Sequence, residues 1–282
     1  MLSEVLRLRL STLRRGQARP AETRAAARPG GRFSSNLADC FPEGEVCQTS
    51  HGEVFACEAP LHEIHSDAAG LRDRYFSAFE AVARRRGDGS LPRNLALLGA
   101  SDPQTTALID TETAGFHGRP LFLIGMVGCK GGDLVLTQYF ARDYAQEAAL
   151  LAQFADLLPR VNLLVSFNGK AFDWPFIRDR MVYHRLRFHA SFEHLDLLHL
   201  SRQRWRGQLP NCQLKTLERY LCGRWRNGDI PSHEIPQRYH SYVREQDARL
   251  IAPVFHHNRL DLITMIELLV ALTDGERAEK PA

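Results

Sequence analysis

Three apolar runs of strand length follow one another between residues 106 and 140: Thr106-Ala-Leu-Ile-Asp110, Leu121-Phe-Leu-Ile-Gly-Met-Val127 and Leu134-Val-Leu-Thr-Gln-Tyr-Phe140. Short links join them, which predicts a meander of neighbouring strands. The period then changes. Asp143 stands as an N-cap, and Leu150, Leu151, Phe154, Leu157 and Leu158 repeat on one helical face. Leu163-Leu-Val-Ser-Phe167 reads as a buried strand, and Phe172 to Tyr183 as a helix with Pro175 tolerated in its first turn. Further helices are expected over Asp196 to Arg204, over Gln213 to Leu221 with Asn211 as cap, and over Asn258 to Leu272. Antiparallel strands followed by alternating helices and strands mean an α/β or α+β sheet with helices packed on it.

Ahead of this region the spacing predicts a hairpin over 45–58, turning at Ser50-His-Gly52, and a helix from Leu71 to Arg86 ending at Gly87. The main-domain boundary falls near residue 100. The expected organisation is a basic, disordered tail over 1–40, a hairpin-and-helix lead-in over 41–100, a main domain over 101–273 and a disordered end over 274–282. Residues 1–32 carry eight arginines against two glutamates, so the rest of the chain is slightly acidic although the whole is +3. A solvated tail, a nucleic-acid-touching arm and an organellar transit peptide all fit that composition.

No window approaches the roughly 18 consecutive apolar residues of a membrane helix. Arg7 and Arg9 interrupt the first apolar residues, so no secretory core is present. Six cysteines are scattered without a C-x-x-C pair, which argues against a zinc ribbon or a disulfide-stapled secreted domain. A reducing, cytoplasmic compartment is the expectation.

The chemistry lies in acids at the ends of apolar elements. Asp110 and Glu112, two apart on a strand, point to the same face. Two like charges at the edge of a core are costly unless a cation neutralises them; a cap or surface pair is the plainer alternative. Asp173 follows Ser166-Phe-Asn168-Gly-Lys170-Ala-Phe172, a strand–turn–helix junction of the kind where α/β sheets place their sites, although a helix cap would also call for an Asp there. In His256-His257-Asn258-Arg259-Leu260-Asp261, His257 and Asp261 share a helical face, as a site pair or as a solvated turn. No ligand spacing supports zinc held by these histidines with Cys212 or Cys222.

Taken in chain order, Asp110-Thr-Glu-Thr113, Phe167-Asn-Gly-Lys-Ala-Phe-Asp173, His194-Leu-Asp-Leu-Leu-His-Leu200, Leu209-Pro-Asn-Cys-Gln-Leu-Lys-Thr-Leu-Glu218, Asp229-Ile-Pro231 and His257-Asn-Arg-Leu-Asp261 resemble the DEDD exonucleases of the ribonuclease H-like superfamily, and more closely its YprB-like group. The resemblance covers roughly residues 105–272, and the hairpin at 45–58 looks like a segment that precedes the nuclease domain there. It implies a mixed five-stranded sheet, the first three strands antiparallel, with helices on both faces. It also implies that Asp110, Glu112, Asp173 and Asp261 bind metal. Related exonucleases place a tyrosine four residues before the last Asp or a histidine five before it. Here histidines fill both places, and His257 is favoured over His256 as the water-positioning group.

Phosphodiester hydrolysis needs an in-line water and relief of charge on the attacking and leaving oxygens, which two divalent ions supply. Carboxylate oxygens suit Mg²⁺ or Mn²⁺. By the resemblance Asp110 bridges the two ions, Glu112 and Asp261 complete one site, Asp173 helps hold the other, and a neutral His257 orients and deprotonates the water. Asn168 and Lys170 are the substrate-binding candidates, a solvated lysine being the simpler reading at 170. Asp196 precedes a helix and reads as a cap or supporting acid. Trp205, Trp225 and Tyr239 lie among Arg202, Arg204, Arg206, Arg224 and Arg226, either to stack bases or as core under a basic surface. The expected activity is a metal-dependent 3′–5′ exonuclease on single-stranded ends of DNA or RNA. The rival is a non-catalytic nucleic-acid-binding or scaffold module of the same fold, and ribonuclease H-like endonuclease action is a third.

Overall fold

The computed structural model of the chain describes residues 36–86, 89, 91–115 and 118–274. Most of the expected basic tail and nearly all of the expected C-terminal end lie outside the described residues. Within the span read as tail, residues 36–40 are ordered: Leu37–Cys40 forms a helical turn whose Asn36 and Asp39 cap each other reciprocally, and Leu37 and Cys40 pack on the core.

Seven strands make one sheet, β1 (Gly44–Thr49), β2 (Gly52–Pro60), β3 (Thr106–Thr113), β4 (Leu121–Lys130), β5 (Asp133–Phe140), β6 (Leu163–Ser166) and β7 (Glu193–Asp196), in the order β1-β2-β5-β4-β3-β6-β7. The meander β3-β4-β5 is antiparallel as expected, and β6 and β7 are parallel additions beside β3. The expected count of five strands is corrected to seven. The reason is that the hairpin belongs to the same sheet: Phe55 to Pro60 pair antiparallel with Phe140 to Val135. Val54, Phe55, Ala56, Cys57 and Ala59 are buried by that pairing, which covers an edge of β5 that would otherwise be an unpaired template.

The parallel strands need crossovers, and helices supply them. Asp143 accepts from the backbone N–H groups of Ala145 and Gln146, opening a 3₁₀ turn that runs into a helix over Glu147–Ala155 between β5 and β6. A second helix, Asp173–Tyr183, connects β6 to β7. With Ala68–Arg84 as α1, these are α2 and α3; α4 is Leu197–Trp205, α5 Ile235–Glu245 and α6 Ala252–Asp274. The expected helix over 213–221 is a short α turn, Leu214–Leu217, continued by a π turn over Glu218–Cys222. Helix α5 was not foreseen. Its Tyr239 stacks on Phe122 at 4.0 Å and 5° and donates its hydroxyl to the Ala141 carbonyl.

Two apolar clusters form. One joins Ile109, Phe122 and Phe140 to α2, α5 and the start of α6; the other joins Leu108, Val127 and Leu163 to α1, α4 and the rest of α6. Val254 and Phe255 belong to the first cluster and Leu262 onward to the second, so residues 256–261 of α6 lie at the seam. There the helix crosses β3 and β4. Among the described residues no helix is long and apolar enough to cross a membrane.

Candidate functional site

Strand β3 is flanked on both sides, and its register with β4 shifts between Glu112 and Thr113. Such an irregularity re-aims the side chains beside it. Asp110 is opposite Gly125 of β4. A Cβ on Gly125 would stand 2.0 Å from Asn258 Oδ1 and 2.7 Å from Leu262 Cδ1, so the glycine is what admits α6 at this distance. Asn258 Nδ2 then donates to Asp110 Oδ2 at 2.8 Å. Gln138 Nε2 donates to Asn258 Oδ1 at 2.8 Å and to the Phe255 carbonyl at 2.9 Å. Arg259 Nε donates to Gln138 Oε1 at 2.9 Å, and its Nη2 to Glu43 Oε1 at 2.9 Å. Gln138 and Asn258 are fully buried. Both amides are thereby oriented, since the guanidinium only donates: it fixes Gln138 Oε1 toward Arg259, hence Nε2 toward Asn258 Oδ1 and Asn258 Nδ2 toward Asp110.

Asp173 opens α3. The helix cap position is Phe172 and no side chain caps it, so capping is not the use of Asp173. Its Oδ1 accepts instead from Thr111 Oγ1 at 2.5 Å, which ties α3 to β3. The junction before it is tight. Asn168 takes φ +67°, and a Cβ on Gly169 would meet Ser166 Oγ at 2.4 Å and Asp173 Oδ2 at 2.9 Å. Asp196 holds that turn from below: its Oδ1 accepts from the Asn168 and Leu198 N–H groups, and its Oδ2 from Lys170 N–H. It is a buried cap, as its position before α4 implied. Lys170 is exposed.

The four acids are near enough to act on one another. Burial first, then Asp261 and Asp173, push Asp110 well above the usual carboxylate range. Glu112 is raised likewise by burial, then by Asp110, Asp261, Asp173 and Asp229. Burial lifts Asp173 to about 6, against the opposing hydrogen bond from Thr111. Asp261 Oδ1 lies 2.5 Å from Arg226 Nη2, as an ion pair without hydrogen-bond alignment. Arg226 is also anchored by Glu218.

His257 is buried and His256 exposed. The His257 Nδ1 is 2.7 Å from Asp229 Oδ1, so that nitrogen carries the proton; Nε2 faces Asp261 Oδ2 and Ser232 Oγ, each at 3.5 Å. Burial acts upward on Asp229, but Lys215, 3.0 Å away, and His257 hold it below the usual range. Among the described residues no three His, Cys, Asp or Glu side chains are gathered as a ready-made metal site.

Several residues here had no assigned role in the sequence. Asn258 and Asp229 stood inside the quoted motifs, while Gln138 was legible only as an amide within an apolar strand. Thr111 lay inside the Asp110–Thr113 motif and Arg226 among the arginines around the aromatics, neither with a role toward the acids. Of the aromatic residues among the arginines, Tyr239 and Trp205 are core, at 0% and 6% exposure, and Trp225 is open at 53%.

A family model described as the RNase_H superfamily matches residues 107–273. Uncharacterized protein YprB of Bacillus subtilis (strain 168) is 30% identical over 230 residues, covering 80% of this chain and 54% of its own length. Uncharacterized protein MJ0365 of Methanocaldococcus jannaschii is 26% identical over 173 residues, 60% of this chain and 95% of its own. The chain thus spans about half the length of YprB. Among solved structures, the family B DNA polymerase from the hyperthermophilic archaeon Pyrobaculum calidifontis aligns at 14% identity with a TM-score of 0.46, over 59% of this chain and 24% of that one. With the family match running from the second residue of β3 through the penultimate residue of α6, the chain belongs to the RNase_H superfamily and is YprB-like within it.

Proposed function

We propose that this nuclease-type fold is a divalent-metal-dependent phosphodiester hydrolase acting on DNA or RNA, a 3′–5′ exonuclease on single-stranded ends. What supports the reading is that Asp110 and Glu112 of β3 are buried and raised by burial and by the neighbouring acids Asp173 of α3 and Asp261 of α6, and that Asp173 is raised by burial. Such an arrangement is expensive unless cations offset it. The donor set fits Mg²⁺ or Mn²⁺: hard carboxylate oxygens, with Asp110 and Asp173 each already held by a neutral donor. Bound there, a pair of such ions would supply an activated water and charge relief at the leaving oxygen.

The chain's own residues do the rest. Asn258 orients Asp110, and Thr111 orients Asp173. His257, fixed through Nδ1 by Asp229, keeps Nε2 available on the Asp261 side to accept the proton of an incoming water. Asn168 and Lys170, on the turn before Asp173, would meet a substrate phosphate. The scattered spacing of the six cysteines makes a reducing, cytoplasmic setting part of the same proposal.

One observation favours the rival binding module: Arg226 already supplies positive charge to Asp261. Labelled single-stranded and duplex DNA and RNA, incubated with Mg²⁺ or Mn²⁺ and resolved on a gel, separate the two. The nuclease shortens labelled strands stepwise from the 3′ end and Asp110→Asn does not. If wild type binds single strands but leaves every end intact, and Asp110→Asn behaves identically, the binding module is the correct reading.

A further inference from the structure

A pocket of about 420 Å³ is linked to the acids by two of its lining residues. Lys215 and Arg226 line it and reach from it to Asp229 and Asp261. Trp225 also lines it, with its indole half open to solvent. The Arg219 guanidinium covers one face of that ring, 3.6 Å from its centroid. Arg219 differs from its neighbours. Arg224 is held by Glu218 and Glu267, and Arg226 by Glu218 and Asp261. Arg219 has no such carboxylate partner among the described residues, and its Nε is buried with no hydrogen-bond partner.

The local fold sets this up. The π turn over Glu218–Cys222 ends at Gly223 in the left-handed region (φ +69°), and the chain reverses so that Arg219 and Trp225 meet. Single π turns recur at functional sites. A second hollow of about 210 Å³ shares Pro210 and Asn211 with the first, and exposed Arg202 and Arg206 line it.

We propose that this pocket binds one nucleotide of a single-stranded nucleic acid, its base stacked on the open face of Trp225. Arg219 meets the adjoining phosphate, and Arg202 and Arg206 continue the track along the backbone. An indole with one open face, a cation without a carboxylate and a concave space beside them match what a base and its phosphate present. A base in a duplex is already stacked and cannot reach the ring, so the site selects single strands. The proposal rests on the reading of the chain as a nucleic-acid-processing protein and extends it to a particular subsite.

The test is fluorescence anisotropy of a short fluorescein-labelled oligothymidylate or oligouridylate in EDTA, with the duplex as comparison. Trp225→Ala should weaken single-strand binding roughly tenfold or more, with duplex binding little changed, and Trp225→Phe should retain most of the affinity. Because Trp225 is largely exposed, both variants should keep the wild-type Tm. Oligonucleotide should also quench the intrinsic tryptophan fluorescence of wild type, and most of that quench should be lost in Trp225→Phe while binding persists, any remainder coming from Trp174 beside Asp173. Single-strand affinity in Trp225→Ala within roughly twofold of wild type, or a quench undiminished in Trp225→Phe, overturns the proposal. A wild type that binds and loses affinity in Trp225→Ala, yet cuts nothing, keeps this subsite and removes the nuclease reading. A wild type that cuts while Trp225→Ala binds normally does the reverse. No single-strand binding by wild type overturns this subsite and leaves the nuclease reading to the gels.

Discussion

Gly125 on β4 and Asn258 on α6 occupy the same space at the level of Asp110: where a side chain at 125 would begin, the Asn258 amide stands. Because that amide is hydrogen-bonded to both Gln138 and Asp110, it cannot swing aside cheaply. Gly125→Ala should therefore act as overpacking and cost about 1–3 kcal/mol. For a domain of this size that lowers Tm by roughly 2–10 °C. Thermal denaturation followed by circular dichroism checks it, and an unchanged Tm would show that α6 does not press on β4 here.

Removing the amide should also be harmful, for a different reason. Asn258→Ala leaves Gln138 Nε2 without its side-chain acceptor and Asp110 without its donor, a loss of about 1–3 kcal/mol in denaturant unfolding. Asn258→Asp instead adds a further acid to a place where Asp110 and Glu112 already repel. Its extra destabilisation should shrink as pH falls and the acids protonate. Equal effects of the two variants at every pH would contradict that account.

Stability of the metal-free protein should fall as pH rises. Asp173 titrates near 6 in the fold, against about 4 in an unfolded chain, and Asp110 and Glu112 are raised as well. Between those values the folded state holds protons that the unfolded chain has lost, so deprotonation favours unfolding. Glu43 and Asp229 are shifted downward and act only at lower pH. His194, lowered by burial to about 4, opposes the trend between about 4 and 6.5, and the three raised acids outweigh it. In EDTA, Tm should be higher at about pH 5 than at about pH 7.5. Mg²⁺ or Mn²⁺ should raise Tm chiefly at the higher pH, where the ligands are ionised. Differential scanning fluorimetry across that range decides it; a Tm that climbs with pH in EDTA would mean the acids are not forced together.

The two histidines should separate cleanly. His257→Ala removes the buried ring between Asp229 and Asp261 and should lower nuclease turnover on the order of 10²–10⁴-fold. His256→Ala, on the exposed face, should change little. Asp229→Asn should resemble a milder His257→Ala, because the ring stays but loses the carboxylate that sets its tautomer. Single-turnover gels with the three variants test the order, and greater damage from His256→Ala would reassign the role.

Local periodicity was enough to reveal the meander β3-β4-β5, the crossover helices and the long closing helix, because side-chain alternation and helical spacing are written in neighbouring residues. The acids at 110, 112, 173 and 261 were visible for the same reason: each interrupts or ends an apolar run. The sheet's width was not visible. Whether a hairpin stands apart or joins β5 depends on an edge some eighty residues away, and only the pairing of Phe55 with Phe140 decides it. Nor could spacing reveal that Asn258, Gln138 and Arg259 form one line behind Asp110, or that Arg226 reaches Asp261, since those contacts join residues from 35 to 148 positions apart. A buried polar group must find its partner wherever the folded chain brings one. Its residue type is set by the sequence, but its partner and its direction are set by how α6 crosses the sheet at Gly125.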